Sequence, residues 1–97
     1  MNDIDRQIIA GANVPKMRRI LAEVATEAGL TIDEIKARTR RRDIVRPRQL
    51  SWAKMREAGF TFHQIANFFA MDHSTIVDGV KRIKAERRKV KREMRDD

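Results

Sequence analysis

Two glycine-to-threonine steps punctuate this chain and constrain its fold more than any other feature. Gly29 is followed two residues later by Thr31, and Gly59 two residues later by Thr61. A glycine just past a helical run is a common C-terminal stop, because a chain leaves a helix most easily through a left-handed residue. A threonine is a helix N-cap, and Glu34, three residues after Thr31, completes a capping box there. Between these marks the apolar residues recur at helical spacing. Met17, Ile20, Leu21, Val24 and Ala28 share one face before Gly29, and Ile32 and Ile35 face inward from a short helix through Arg38. Leu50, Trp52, Ala53 and Met55 precede Gly59, and Phe62, Ile65, Ala66, Phe68 and Phe69 follow Thr61.

The remaining breaks complete the outline. Pro15 suits the first turn of a helix, after a loose start with a short turn at Asp3–Ala10 and an interruption at Gly11–Asn13. Residues 39–45 read as a loop, with Pro47 at the start of the next helix. Ala70-Met71 makes a tight turn, and Asp72 caps a final helix running to about Met94. β-branched residues never alternate with polar ones over a useful length, and Tyr is absent, so strands are not expected. The expectation is an all-α, compact domain of about five main helices. Its last two helices form a helix-turn-helix, with a long basic C-terminal helix. Residues 1–15 are read as an N-terminal extension, 16–84 as the domain, and 85–97 as a basic helical extension.

Charge separates the two halves. Residues 1–37 carry five bases and six acids, whereas residues 38–97 carry seventeen bases and eight acids, giving +8 for the 97-residue chain. A basic half on a nearly neutral scaffold points to a polyanionic partner. The absence of Cys excludes disulfides and thiolate chemistry. No run is apolar enough to span a membrane, and the start lacks the pattern of a signal peptide. A cytoplasmic, nucleoid-associated protein is the expectation.

The chain offers little for catalysis. It has no GxxxxGK[ST] phosphate loop and no paired carboxylates in an apolar setting. His63 and His73 lack an obvious third ligand, so neither a metal site nor a cofactor is expected. Asp72-His73-Ser74 holds the residue types of a nucleophilic triad, but three consecutive residues at a helix start point in different directions. The protein is not expected to be an enzyme. The same tetrapeptide, Asp72-His73-Ser74-Thr75, reads better as the tip of a recognition helix aimed into a major groove. Its plain alternative is capping by Asp72 and Ser74. The run Arg38-Thr39-Arg40-Arg41-Arg42 is costly to assemble without counter-charge and fits an arm on phosphates or in a narrow minor groove. Arg46 and Arg48 would lie nearby as phosphate clamps; a solvated basic loop is the bland alternative.

Taken in order, Arg46-Pro47-Arg48-Gln49, Thr61-Phe62-His63-Gln64-Ile65, Asp72-His73-Ser74-Thr75-Ile76-Val77 and Lys81-Arg82-Ile83 resemble the C-terminal DNA-binding domain of the bacterial replication initiator DnaA. The resemblance covers roughly residues 16–84. It implies a helix-turn-helix that binds duplex DNA at an AT-rich box. Carried over residue by residue, it makes Arg40 the minor-groove reader and sets His63, Asp72, His73 and Ser74 at major-groove positions. Arg42, Arg48, Gln49, Thr61, Phe62, Thr75 and Arg82 fall at or near backbone-contact positions. The chain departs from the family at Ala70-Met71, where a longer Gly-Gly-Arg type turn is usual, and at His63, where Pro is usual. The family's ATPase module has no counterpart here. The expectation is therefore a DNA reader without ATPase activity, regulating transcription or modulating replication initiation, and phage- or mobile-element-encoded.

The final helix leaves a second reading open. Ile76, Val80, Ile83, Arg87, Val90 and Met94 recur at seam spacing, interrupted at Arg87. Residues 84–95 could dock RNA polymerase or replication machinery, with DNA contact secondary. Two heptads with an Arg in the seam make a poor coiled coil, so a monomer on DNA is expected.

Overall fold

The structure, a computed structural model, describes residues 3–95, with side chains from Val14 to Glu93. Five helices follow in order: α1 (Asp3–Ala28), α2 (Ile32–Lys36), α3 (Arg42–Glu57), α4 (Phe62–Phe69) and α5 (His73–Arg95). α3 is the central element, packed by α1, α2, α4 and α5, and α4 lies against the first part of α5. Among the described residues there is no strand, and no helix is long and apolar enough to cross a membrane.

Three chain reversals share one hydrogen-bond closure. Leu30 N–H donates to Ala25 C=O at 2.8 Å, Phe60 N–H to Met55 C=O at 3.1 Å, and Met71 N–H to Ala66 C=O at 3.0 Å. Each closure spans a residue of positive φ: Gly29 at 71°, Gly59 at 103° and Ala70 at 53°. The apolar residue after each stop turns back on the core: Phe60 is buried, and Leu30 and Met71 pack against it from the edge. Both threonine caps are complete boxes. Thr31 Oγ1 accepts from Glu34 N–H and Thr61 Oγ1 from Gln64 N–H, while Glu34 and Gln64 accept in return from the threonine N–H groups. The sequence announces the first box through Glu34; the second works equally well through Gln64.

The stop at Ala70 differs from the other two by a single methyl group. An L-residue in the left-handed region carries roughly 1–2 kcal/mol of steric cost that glycine avoids. Ala70→Gly is therefore expected to stabilise the domain by about 1 kcal/mol, after the extra flexibility of glycine in the unfolded chain is offset. Thermal unfolding would read this as a rise of roughly 4–8 °C; an unchanged or lower midpoint would show that the turn carries no such strain.

The core comes from every helix. Met17, Leu21, Val24 and Ala25 of α1 meet Ile35, Trp52, Met55, Phe60, Ile65, Ala66, Phe69, Ile76 and Val80. Ala28, expected on the inner face, is exposed, and Ala25 takes its place. On α5 the seam splits. Ile76, Val80 and Ile83 are buried, Arg87 pairs with Glu57, and Val90 is 54% exposed. The side chain of Met94 lies outside the described ones.

Three boundaries differ from those expected. The interruption at Gly11–Asn13 is absent, and α1 runs through Pro15. Gly and Pro weaken a helix interior, by about 1 and 3 kcal/mol, but neither needs a non-helical φ there, since Pro is fixed near the helical value. α2 ends at Lys36 rather than Arg38, because Ala37 turns extended (φ −65°, ψ 149°). α3 starts at Arg42, so Pro47 sits inside it rather than at its start. The early start is held by the Arg41 carbonyl, which accepts from Ile44 and Val45 N–H at 3.0 and 2.8 Å, and by burial of Ile44. Pro47 forfeits one hydrogen bond in this arrangement.

Candidate nucleic-acid interface

The arginine segment leaves the end of α2 and returns to α3 alongside the α4–α5 turn. Arg38 reaches the Ala70 carbonyl at 3.5 Å. An open cleft between them is lined by Arg38, Thr39, Arg40, Arg48, Ala70, Met71, Asp72 and Thr75. A second cleft, between α3 and α5, is lined by Arg40, Arg42, Val45, Arg46, Gln49, Arg82 and Glu86. Arg40 borders both. The fold thus brings together the arm, the start of α5 and most of the residues expected at the DNA backbone.

The start of α5 presents a small aromatic stack. His73, Ser74 and Thr75 are exposed in its first turn, and the Asp72 carbonyl accepts from Ile76 N–H at 3.3 Å. The His73 ring lies 4.5 Å from that of His63, tilted by 35°, and 5.7 Å from the edge-on ring of Phe62. Phe62 is half-buried, and the Arg56 guanidinium lies 4.4 Å from its ring centre while donating to the Phe60 carbonyl. His63, on α4, and His73, on α5, therefore belong to one unit whose outer face is imidazole. The inner part of Phe62 braces that unit from behind.

Counter-charge is provided locally. Arg41 pairs with Asp43 at 2.8 Å, and Arg46 pairs with Glu86 across α3 and α5 at 2.7 Å. Arg40, Arg42 and Arg82 are exposed, and Gln49 is half-buried beside α5. The Thr61 hydroxyl is engaged in its capping box, on the exposed rim of α4.

Arg48 stands apart from this set. It was expected to clamp a phosphate, yet it is only 6% exposed. Its guanidinium donates to the carbonyls of Ile35 at 2.8 Å and Thr39 at 3.2 Å, and also to that of Ala37. Burial pushes its pKa below the ordinary arginine value. The three carbonyls it meets belong to the α2 end and the arm, so the fork turns inward, not to solvent.

Three further residues matter whose contacts no local signal assigns. Arg38 ties the arm to the turn, and Arg56 supports Phe62. Gly79 is buried where α5 crosses α3: a Cβ there would lie 2.5 Å from Trp52 Cε3 and Cζ3. The only sequence trace of that contact is a glycine inside an otherwise regular helical pattern, which marks close approach as readily as weakness.

A family model described as the bacterial DnaA protein helix-turn-helix matches residues 17–83. The chain is 38% identical over 69 residues to the chromosomal replication initiator protein DnaA of Deinococcus radiodurans, an alignment covering 70% of this chain. It spans only 15% of that protein's length. No solved structure matches it. With the matched segment running from the first buried side chain described in α1 to the last described in α5, the chain belongs to the family of DNA-binding helix-turn-helix domains of bacterial DnaA.

Proposed function

We propose that this protein binds double-stranded DNA at specific sequences, with the start of α5 in the major groove and Arg40 in the adjacent minor groove. The observation that carries this reading is the cleft joining the arm to the helix-turn-helix, with Arg40 on one side and Asp72 and Thr75 on the other. Asp72, His73 and Ser74 are the base-reading group, with His63 stacked beside them. Each has donors or acceptors suited to base edges in the major groove. Arg42, Arg46, Gln49 and Arg82 line one cleft and fit a phosphate path, and Thr61 and Thr75 are taken as further backbone contacts. Phe62 holds His73 in place in this reading. The chain acts as a monomer, regulating transcription or the start of replication by occupying sites.

Selection of bound sites from a random duplex library, at near-physiological salt, tests the proposal. Enrichment of one motif is the expected result. An AT-rich box would favour competition at replication origins, a different motif a separate set of promoters. Recovery of no motif would overturn sequence-specific reading.

A second reading has its own observation. Leu50, Ile83 and Val90 form an apolar groove between α3 and α5, bordered by Arg46 with its partner Glu86, by Arg87 with its partner Glu57, and by Lys91. A partner helix that brings an apolar residue to the groove and an acidic one to Lys91 fits that chemistry, in keeping with an adaptor role. Truncation after Lys84 separates the two: DNA binding survives it in either case, and cellular activity survives it only if α5 docks no partner.

A further inference from the structure

We propose that Arg48 is a positioning residue: its buried fork holds the carbonyls of Ile35, Ala37 and Thr39, and so fixes the path on which Arg40 leaves the domain, without itself touching DNA. The inference rests on the reading of Arg40 as the minor-groove group.

The backbone at the end of α2 leaves carbonyls in need of donors. That helix is five residues long and ends in an extended Ala37, so its last carbonyls lack helical partners. A cation near a helix C-terminus is favoured by those carbonyls. Arg48 meets this need through Ile35 and then follows the extended chain. Ala37 and Thr39, two residues apart, both turn their carbonyls to it, and Thr39 N–H donates to the Ala37 carbonyl at 3.0 Å in a tight turn about Arg38. Arg38 and Arg40, between and beyond them, are exposed. The staple therefore pins the inner side of the arm and leaves its arginines outside.

Geometry also explains why the residue is an arginine. Three carbonyls in different directions need donors on both terminal nitrogens and on Nε, and the structure uses all three. A lysine carries its donors on one nitrogen and cannot span the same set. A flexible arm with four arginines in five residues would lose considerable freedom on entering a groove. An arm already held in place has less to lose.

The experiment measures affinities of the full chain, Arg40→Ala, Arg48→Lys and the double variant for two duplexes. The duplexes share the selected site and differ only in whether the minor-groove segment is A·T or G·C. Arg40→Ala is expected to remove the A·T preference. Arg48→Lys is expected to remove most of it too, by roughly five-fold or more, with the salt slope of binding unchanged. The double variant should then discriminate no worse than Arg40→Ala alone. Retained A·T preference in Arg48→Lys, with a salt slope lower by about one on every duplex, would make Arg48 a phosphate clamp and overturn the proposal. If Arg40→Ala keeps the preference, the minor-groove reading itself fails and the proposal falls with it.

A measurement on the unmodified chain covers the case in which Arg48→Lys does not fold. Phenylglyoxal labelling read by mass spectrometry should modify Arg40 in the free protein and spare it on DNA, while Arg48 stays unmodified in both. Labelling of Arg48 in the free protein that DNA suppresses would overturn the proposal.

Discussion

Gly79→Ala is expected to destabilise this domain, although in a typical helix the same change stabilises it by about 1 kcal/mol. The reason is the ring of Trp52. The added methyl group would sit 2.5 Å from two of its carbons and 3.1 Å from Gln49 Cγ. Trp52 is 2% exposed and stands edge-on to Phe69 with ring centres 5.8 Å apart, so the indole has no open side to move into. Either the ring leaves its rotamer or α5 lifts away from α3. Such overpacking typically costs about 1–3 kcal/mol, enough to cancel the gain in helix propensity and leave a net loss. Thermal and urea unfolding check this through a lower midpoint. A rise would show that Trp52 repacks freely. The buried indole Nε1 has no hydrogen-bond partner among the described residues, so packing against Phe69 and α5 is what holds the ring.

His73→Ala is expected to reduce discrimination between the selected site and single-base-pair variants by roughly 1–3 kcal/mol, about 5- to 150-fold, with non-specific binding retained. The imidazole is exposed at the start of α5 and offers donor and acceptor atoms at the position where recognition helices meet base edges. Removing it leaves the core untouched, so the thermal midpoint should hold. Affinities for the site and its variants, measured at one salt concentration, decide the matter. An equal loss on every duplex would assign His73 to the backbone instead. His63→Ala is the informative companion, since its ring supports that of His73 at 4.5 Å.

Much of this architecture was legible from local chemistry. Gly29, Thr31, Gly59 and Thr61 mark helix ends whatever surrounds them, because each satisfies or terminates a backbone pattern within a few residues. The basic half and the order of motifs from Arg46 to Ile83 were legible in the same way, and the family match covers that segment. Arg48 was not. In a run rich in arginine, nothing local separates a side chain that faces solvent from one that three carbonyls recruit, and even the nearest of those in sequence, Thr39, lies outside α3. Pro47 misled for a related reason: its ring suits a helix start, but burial of Ile44 and the Arg41 carbonyl extend α3 ahead of it. Gly79 shows only as a residue type; its neighbour Trp52 is a tertiary fact.

The contact between Gly79 and Trp52 also makes α5 a lever. On one side of that fulcrum, six residues or about 9 Å away, stands the His73 tip. On the other side, about 12 Å along the same axis, Arg87 is tethered to Glu57. A tilt of only about 5° around the fulcrum would carry the tip through about 0.8 Å, comparable to the misplacement that spoils positioned chemistry. The aim of the helix start is thus set partly at the opposite end of α5, beside the apolar groove. Whatever grips Val90 there gains a handle on where His73 points.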